Sequence, residues 1–321
     1  MNNKVAIIIP LKNHYDFITR QLKYYESVSS CHPIYIGDSS DQLEKKKLLE
    51  SIKFFKKKLD IKYFYFPKKP GHEVISDLSL KVKEKFCVFC GADDFLIPNS
   101  LNKCANFLQK NKDYRTAQGK AIIFNLDKKG AYGKFNYFGL YWKQPQLTNK
   151  SSKDRIMHFS NNSWNSQFSV HRTKEFIEDS KDRSKIKCRT FAEIMHIYTF
   201  AAKGKSKFID CLFLIRQDHE ARAFLPNFSE WITSDNWYHS YEIFINSIAK
   251  IIFKIDRLKL LEAKAIVNQA FWVNYYDSLM LRKPSNDKLI DYKKFFKQFI
   301  PNSLYISMYR KIKTKFNYYL S

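Results

Sequence analysis

Apolar positions in the first 110 residues switch between short unbroken runs and residues spaced three and four apart. Val5–Leu11 is continuous, β-branched and bounded by polar residues, the pattern of a strand covered on both faces. A helix is expected next, started by Asn13 or Asp16, with Ile18, Leu22 and Tyr25 on one face. Residues 34–36 form a second short run ending in Gly37-Asp38-Ser39-Ser40-Asp41, and Leu48, Ile52, Phe55 and Leu59 mark a second helix with lysines outward. Residues 62–66 predict a third strand, closed by Pro67 and Pro70-Gly71; Val74, Leu78 and Val82 predict a third helix. Residues 86–90 predict a fourth strand, ending in Gly91-Ala92-Asp93-Asp94, before a helix opened by Pro98-Asn99-Ser100 and carrying Leu101, Cys104 and Phe107. Strand and helix alternate at a spacing of about 30 residues, which predicts an α/β fold with an open, mainly parallel sheet flanked by helices. Ligands of such sheets sit at the carboxyl ends of the strands. Lys12-Asn13, Asp38-Ser39-Ser40 and Asp93-Asp94 are therefore expected to converge on one edge.

Beyond residue 117 the pattern is less regular. Residues 120–125 and 168–171 predict strands, and Asn161-Asn162-Ser163-Trp164-Asn165 predicts a polar loop with one aromatic. Residues 190–203 predict a helix with Phe191, Ile194, Tyr198 and Ala201 on one side and Gly204 as its stop. Residues 208–215 predict a strand that leads into Arg216-Gln217-Asp218-His219. After Pro226 the pattern is helical, broken at Pro284-Ser285-Asn286 and Pro301-Asn302-Ser303. Two domains are expected, residues 1–225 and a helical extension over 226–321.

Charge changes this picture more than length does. The 321 residues carry a formal charge of +25, with 45% apolar and 17% aromatic side chains but only 8 glycines. A disordered tail, collagen and a glycine-rich linker are excluded. So strong an excess of one sign favours polyanionic neighbours: nucleic acid, anionic lipid or phosphorylated small molecules. The excess is spread along the chain rather than gathered in one tail, and Lys, Asn, Phe, Tyr and Ile are frequent together, as biased codon usage would produce. The apolar run at the N-terminus is short and interrupted by Pro10, and no run approaches the 18 or so residues of a membrane span. A cytoplasmic chain with reduced thiols is expected. Cys87-Val88-Phe89-Cys90 has no second pair to complete a zinc site and falls in a strand, where residues three apart face opposite sides.

Several residues carry candidate chemistry. Two carboxylates, Asp93 and Asp94, directly after a buried strand are costly unless they hold a cation or a hydrogen-bond network. They would suit a hard divalent ion completed by phosphate oxygens, or equally a helix-entry turn. Asp38 could accept a hydrogen bond from a base or ribose, or cap its own loop as an Asx turn. Glu193 stands in Phe191-Ala192-Glu193-Ile194-Met195, where apolar neighbours would favour a general base; a solvent-facing position on an amphipathic helix is the other reading. His219 could bind a metal or a diphosphate, and Arg216 a diphosphate. Lys181, Arg183, Lys185, Lys187 and Arg189 form either a solvated face or a loop that closes over phosphates. No P-loop, dinucleotide fingerprint, Gly-x-Ser-x-Gly elbow, HExxH or RNA-recognition signature is present.

The order of these pieces resembles glycosyltransferase family 2, whose fold is GT-A. Residues 5–13, VAIIIPLKN, resemble its opening strand, and Ile36-Gly37-Asp38-Ser39-Ser40-Asp41 its nucleotide motif, usually Asp-Asp-Gly-Ser. Phe89-Cys90-Gly91-Ala92-Asp93-Asp94 resembles its Asp-x-Asp-Asp metal motif. Phe191-Ala192-Glu193 with Gly204-Lys205 resembles the later acidic motif, and Arg216-Gln217-Asp218-His219 the closing Arg-x-x-His. The resemblance covers residues 1 to about 220. Gly91 and Ala192 replace acids of the family pattern, and Gly37 and Ser39 leave Asp38 as the sole carboxylate of the nucleotide motif.

The resemblance implies a nucleotide-diphosphate sugar along the sheet edge. Pro10, Lys12 and Asp38 would line the nucleotide pocket, and Arg216 would face the donor. Mg2+ or Mn2+ would be held by Asp93, with Asp94 and His219 in support. Glu193 would be the base of an inverting transfer to a glycan or lipid-linked glycan, as in surface polysaccharide synthesis, with Trp164 and Gln167 touching the acceptor. Residues 288–321 hold eight basic side chains against the single acid Asp291, with Leu304, Met308, Ile312 and Phe316 recurring every four. That is a basic amphipathic helix, which would either lie on an anionic membrane, on its inner face, or pack on the fold. A catalytically inactive scaffold and a nucleic-acid-binding protein are the competing expectations. The latter would place stacking aromatics beside basic residues on a sheet, whereas these basic residues fall mainly on helix faces, so no nucleic-acid partner is expected.

Overall fold

The computed structural model describes residues 3–142, 146–162, 166–181, 186–220 and 228–280. The chain divides into the compact units Met1–Tyr276 and Asp277–Ser321. Trp164 and residues 288–321, with the acceptor and membrane roles expected of them, lie outside the described residues.

The first half follows the alternation of the sequence: β1 (Val5–Leu11), α1 (Tyr15–Ser27), β2 (Ile34–Asp38), α2 (Gln42–Phe55), β3 (Ile61–Tyr65), α3 (Gly71–Ser79), β4 (Phe86–Phe89), β5 (Phe95–Leu96) and α4 (Pro98–Lys110). Then come β6 (Tyr114–Leu126), β7 (Phe135–Trp142), α5 (Ser152–Asn162), β8 (Val170–Arg172), α6 (Thr173–Ser180), α7 (Arg189–Lys203), β9 (Lys205–Asp218), α8 (Phe228–Ile232), α9 (Trp237–Asp256) and α10 (Leu260–Met280). The strands form a nine-stranded sheet in the order β3-β2-β1-β4-β8-β6-β9-β5, with β7 on β6. β3, β2, β1 and β4 are parallel; beyond β4 the sheet is mixed, because β8 runs antiparallel to β4 and β6 while β6 and β9 run parallel.

β1 is apolar without alternation because both its faces are covered. Val5, Ile7, Ile9 and Leu11 enter one core cluster with side chains of α1, α2 and α4; Ala6 and Ile8 enter another with Ile75, Leu78 and Phe176. Cys90 belongs to the first cluster and Cys87 to the second, so the pair is split across the sheet, and all six cysteines are free thiols. Gly37 of β2 is required by packing: a Cβ there would lie 2.5 Å from Cγ1 of Val74, so α3 rides directly on the strand.

The first compact unit runs past the domain boundary expected at residue 225. The reason is Phe191 on α7, fully buried, with Trp231, Phe244 and Phe271 at ring-centroid distances of 4.7, 5.9 and 5.8 Å. α8, α9 and α10 thereby complete the core around α7. Asn161 and Asn162, expected in a loop, form the last turn of α5. No described helix is long and apolar enough to cross a membrane.

Candidate functional site at the carboxyl edge of the sheet

The loops after β1, β2 and β4 meet, as their place in the sheet requires. Asn13, at a positive φ of 53°, donates its backbone N–H to Ser40 Oγ at 2.8 Å, and its side-chain oxygen accepts from the Asp41 N–H at 3.0 Å. The Ser39 N–H donates to the Leu11 carbonyl at 2.8 Å. β9 brings the fourth piece. His219, one residue past its end, places Nε2 3.0 Å from Asp93 Oδ2, and Arg216 donates from Nε to Asp94 Oδ2 at 3.1 Å. Residues 122 positions apart are joined because β5 and β9 pair, Phe95 against Ile215. The Phe17 ring of α1 stacks on the His219 imidazole at 4.5 Å, and His14 stands 6.3 Å from it.

The two carboxylates have different environments. Asp94 is fully buried, and the Arg216 guanidinium beside it lies 4.6 Å from the Phe168 ring and donates to Tyr141 Oη at 3.1 Å. Burial works against the Arg216 charge, but Asp94, Tyr141 and Asp93 outweigh it and raise its pKa further. Arg216 is therefore the counter-ion of the acidic turn. Asp93 is half-buried. Burial pushes its pKa up, yet the hydrogen bond from His219 and the Arg216 charge prevail and hold it below the ordinary carboxylate value. Asp93 is thus an ionised carboxylate at neutral pH, at the mouth of the turn, facing His219.

α1 holds the backbone of this turn. Gln21, fully buried, donates from Nε2 to the Gly91 carbonyl at 2.9 Å and also to the Asp94 carbonyl. Arg20 donates to the Asp93 carbonyl at 3.1 Å and to the Ala131 carbonyl at 2.6 Å. Neither residue was among those expected. The signal was present, since Gln21 is a polar residue on the same helix face as Ile18, Leu22 and Tyr25, where burial demands partners.

The glycine at 91 is explained by Asp93. A Cβ on Gly91 would collide with Asp93 Oδ1 and lie 3.1 Å from Asp94 Oδ2. The space that a first motif carboxylate would need is filled by the side chain of Asp93. Gly91→Ala is therefore expected to displace Asp93 from His219. The measurable outcome is a changed His219 imidazole resonance in the NMR spectrum with a melting temperature within a few degrees of wild type, because the clash involves a side-chain terminus rather than backbone.

The other expected residues separate into those near this point and those elsewhere. Pro10 pairs in register with Gly37, and Lys12 is exposed at the end of β1, both on the correct edge. Asp38 is fully buried with both oxygens engaged: Oδ1 accepts from the Ser40 N–H at 2.9 Å and Oδ2 from Tyr63 Oη at 2.7 Å. This is the Asx-turn arrangement, and it makes Asp38 a residue that shapes the loop rather than one offered to a base or ribose. Gln167 is buried in the 3-10 turn Ser166–Phe168, next to the ring that covers Arg216. Glu193 lies on α7 with Oε1 3.3 Å from Arg189 Nε one turn earlier, and its charge is felt by Tyr275 of α10. No contact between described residues joins it to Asp93 or His219, and its ion pair replaces the apolar surroundings expected of a base. Among the described residues no group of three His, Cys, Asp or Glu side chains converges as a closed metal site. Asp94 in particular is turned to Arg216.

No protein-family model matches the sequence, and no curated protein matches it. Solved structures do. Staphylococcus aureus TarS 1–349 superposes with a TM-score of 0.56 at 13% identity, covering 92% of this chain and 78% of that one. A longer TarS structure gives 0.57 at 14% identity, over 94% of this chain and 50% of that one. TarS 1–349 in complex with UDP-GlcNAc gives 0.54 at 14% identity, over 87% and 76%. The chain therefore has the fold seen in TarS, a mixed α/β Rossmann-like sheet flanked by helices and followed by further helices.

Proposed function

We propose that this chain is a glycosyltransferase that uses a nucleotide-diphosphate sugar, with a UDP-sugar as donor and a glycan or lipid-linked glycan hydroxyl as acceptor. The observation that carries the reading is the Asp93–His219 pair, held at the carboxyl edge of the sheet beside the β1–α1 loop. The support from outside the chain is a fold shared with a protein crystallised with UDP-GlcNAc and with UDP.

The residues present fit a divalent cation of one kind. Asp93 and His219 offer one carboxylate and one imidazole at 3.0 Å from each other, with no third protein ligand among the described residues. Once the Nε2 proton that His219 donates to Asp93 is released, such a pair would suit Mg2+ or Mn2+ with its shell completed by phosphate oxygens and water. When bound, the ion would supply Lewis-acid stabilisation to the departing diphosphate.

The chain's own residues do the rest. Arg216 cancels the charge of Asp94, so the turn presents one carboxylate, Asp93, to a donor that is itself an anion. Gln21 and Arg20 fix the carbonyls of the turn, so Asp93 needs little reorganisation when a donor arrives. Lys12 is exposed just past the end of β1 and can pair with a phosphate. The Leu11–Ser39 and Asn13–Ser40 bonds close the wall against which a nucleoside would lie. In a single in-line displacement the acceptor oxygen would bond to the anomeric carbon as the bond to the diphosphate breaks, the hydroxyl proton passing to water or to the departing diphosphate, and the configuration would invert.

One observation favours a second reading, a catalytically silent member of the fold: Gly91 occupies the first position of the acidic motif and Asp94 is spent on Arg216. Release of UDP from UDP-GlcNAc with Mn2+ or Mg2+ decides between them. Cation-dependent release above the buffer background is expected for the enzyme, and release equal to the background would favour the silent fold.

A further inference from the structure

The β6–β7 hairpin is the one part of the described sheet whose strand is apolar and uncovered. Phe135 and Phe138 are each 73% exposed and Leu140 is 65% exposed, with Tyr132 and Tyr137 also more than half exposed. Buried strands of this protein are apolar because both faces are packed. Apart from Asn136, the 135–140 stretch of β7 is apolar yet exposed on both faces, and large apolar side chains gathered this way on a surface mark an interaction site. Among the described strands β7 pairs only with β6, so it is also an edge.

The hairpin is built to be stiff. Asp127 and Lys134 close it with a backbone hydrogen bond at 3.0 Å, and Asp127 Oδ1 accepts from the Lys134 N–H at 2.8 Å. Tyr137 lies over Gly139, where a Cβ would meet its phenol oxygen 2.5 Å away. The turn is tied to the candidate site, since Gln217 donates to the Gly130 carbonyl at 2.8 Å and Arg20 to that of Ala131. The apolar side chains are flanked by cations. Lys128, Lys129 and Lys134 are exposed in the turn against the single acid Asp127, and Lys23 of α1 stands 5.8 Å from the Tyr132 ring. Lys129 reaches Glu220 in an ion pair exposed at both ends, which water and a phosphate can readily replace.

We propose that this hairpin docks the protein on an anionic lipid surface, with Phe138 and Leu140 entering the acyl boundary and the turn lysines at the phosphate level. The chemistry favours lipid over a carbohydrate partner: the most exposed side chains of the patch, Phe135, Phe138 and Leu140, have no group that would pair with hydroxyls, while apolar residues ringed by lysine match a negatively charged interface. It favours lipid over a second copy because the turn lysines would repel the same turn of a neighbour. Because the hairpin is bonded to the strand that carries Arg216 and leads to His219, docking would hold the candidate site beside the membrane. The inference stands on the hairpin alone and does not require the donor reading to be correct.

The test uses the full chain with vesicles of phosphatidylglycerol and phosphatidylcholine, or of phosphatidylcholine alone. Wild type is expected to co-sediment with the anionic vesicles and Phe138→Ser/Leu140→Ser to bind them about tenfold more weakly. Hydrogen exchange of the 135–142 amides in wild type, which needs no substitution, is expected to slow only when anionic vesicles are present. Equal binding by the variant would overturn the proposal, since lipid contact would then lie elsewhere. So would protection of these amides without vesicles that rises with protein concentration, the signature of pairing between copies, or protection produced by a glycan and not by lipid.

Discussion

Asp93→Asn is expected to lower cation-dependent turnover of a UDP-sugar by about a thousandfold while leaving the fold intact, the range seen when one preorganised electrostatic group is removed from a site. The substitution keeps size and shape and removes only charge. That charge is what matters, because His219 and Arg216 together hold Asp93 ionised in spite of its burial. The amide would still bond to His219, so the local packing survives and the melting temperature should change by no more than a few degrees. Steady-state turnover with Mn2+, set beside a thermal melt of the same sample, separates the two effects. Turnover within about threefold of wild type would remove Asp93 from the chemistry.

Arg216→Met is expected to be the most destabilising single change at the site. Asp94 is fully buried, and Arg216 is the cation facing it at 3.1 Å. Removing one partner of such a pair leaves a buried charge uncompensated, at a cost of about 3–5 kcal/mol. For a unit of this size that lowers the melting temperature by on the order of 10 °C. Asp94→Asn in the same chain should restore much of the loss, because the uncompensated charge is then gone, so the double variant is more stable than Arg216→Met alone. Calorimetric melts of wild type and the two variants measure this directly. A loss of less than about 1 kcal/mol for Arg216→Met would mean that the pair is dispensable and that water replaces the guanidinium.

Much of the first half of the fold was legible because burial on both faces writes itself into the sequence. Val5–Leu11 and the runs at 34–36 and 86–90 are apolar without alternation, and the helices between them carry one apolar stripe each. β7 was not legible for the opposite reason: its apolar residues are exposed on both faces, so they follow no period. β5 is two residues long and exists only because β9 comes to pair with it. The helical character of α8 to α10 shows in the sequence, but no local pattern says that Phe191 waits for Trp231, Phe244 and Phe271.

The site was legible in its parts and misread in some of its roles. Asp93 and His219 were expected together, and the structure joins them. Asp94 and Arg216 were expected to face ligand and instead face each other, a pairing across 122 residues that spacing alone cannot show. Asp38 carried two readings, and what decides between them is Tyr63, a donor on the neighbouring strand. Glu193 was singled out by its apolar neighbours in sequence, but on a helix its near neighbour is Arg189 one turn back.

Asp93 and His219 are proposed as the anionic-ligand end of a nucleotide-diphosphate site. Calorimetric titration of UDP with Mn2+ present, for wild type and Asp93→Asn, with GDP, CMP and dTDP as comparisons, tests it most directly. Saturable UDP binding that is tighter than for the other nucleotides, requires Mn2+ and is lost in Asp93→Asn is the result expected. UDP binding that is absent from wild type, or unchanged by Asp93→Asn, would contradict it.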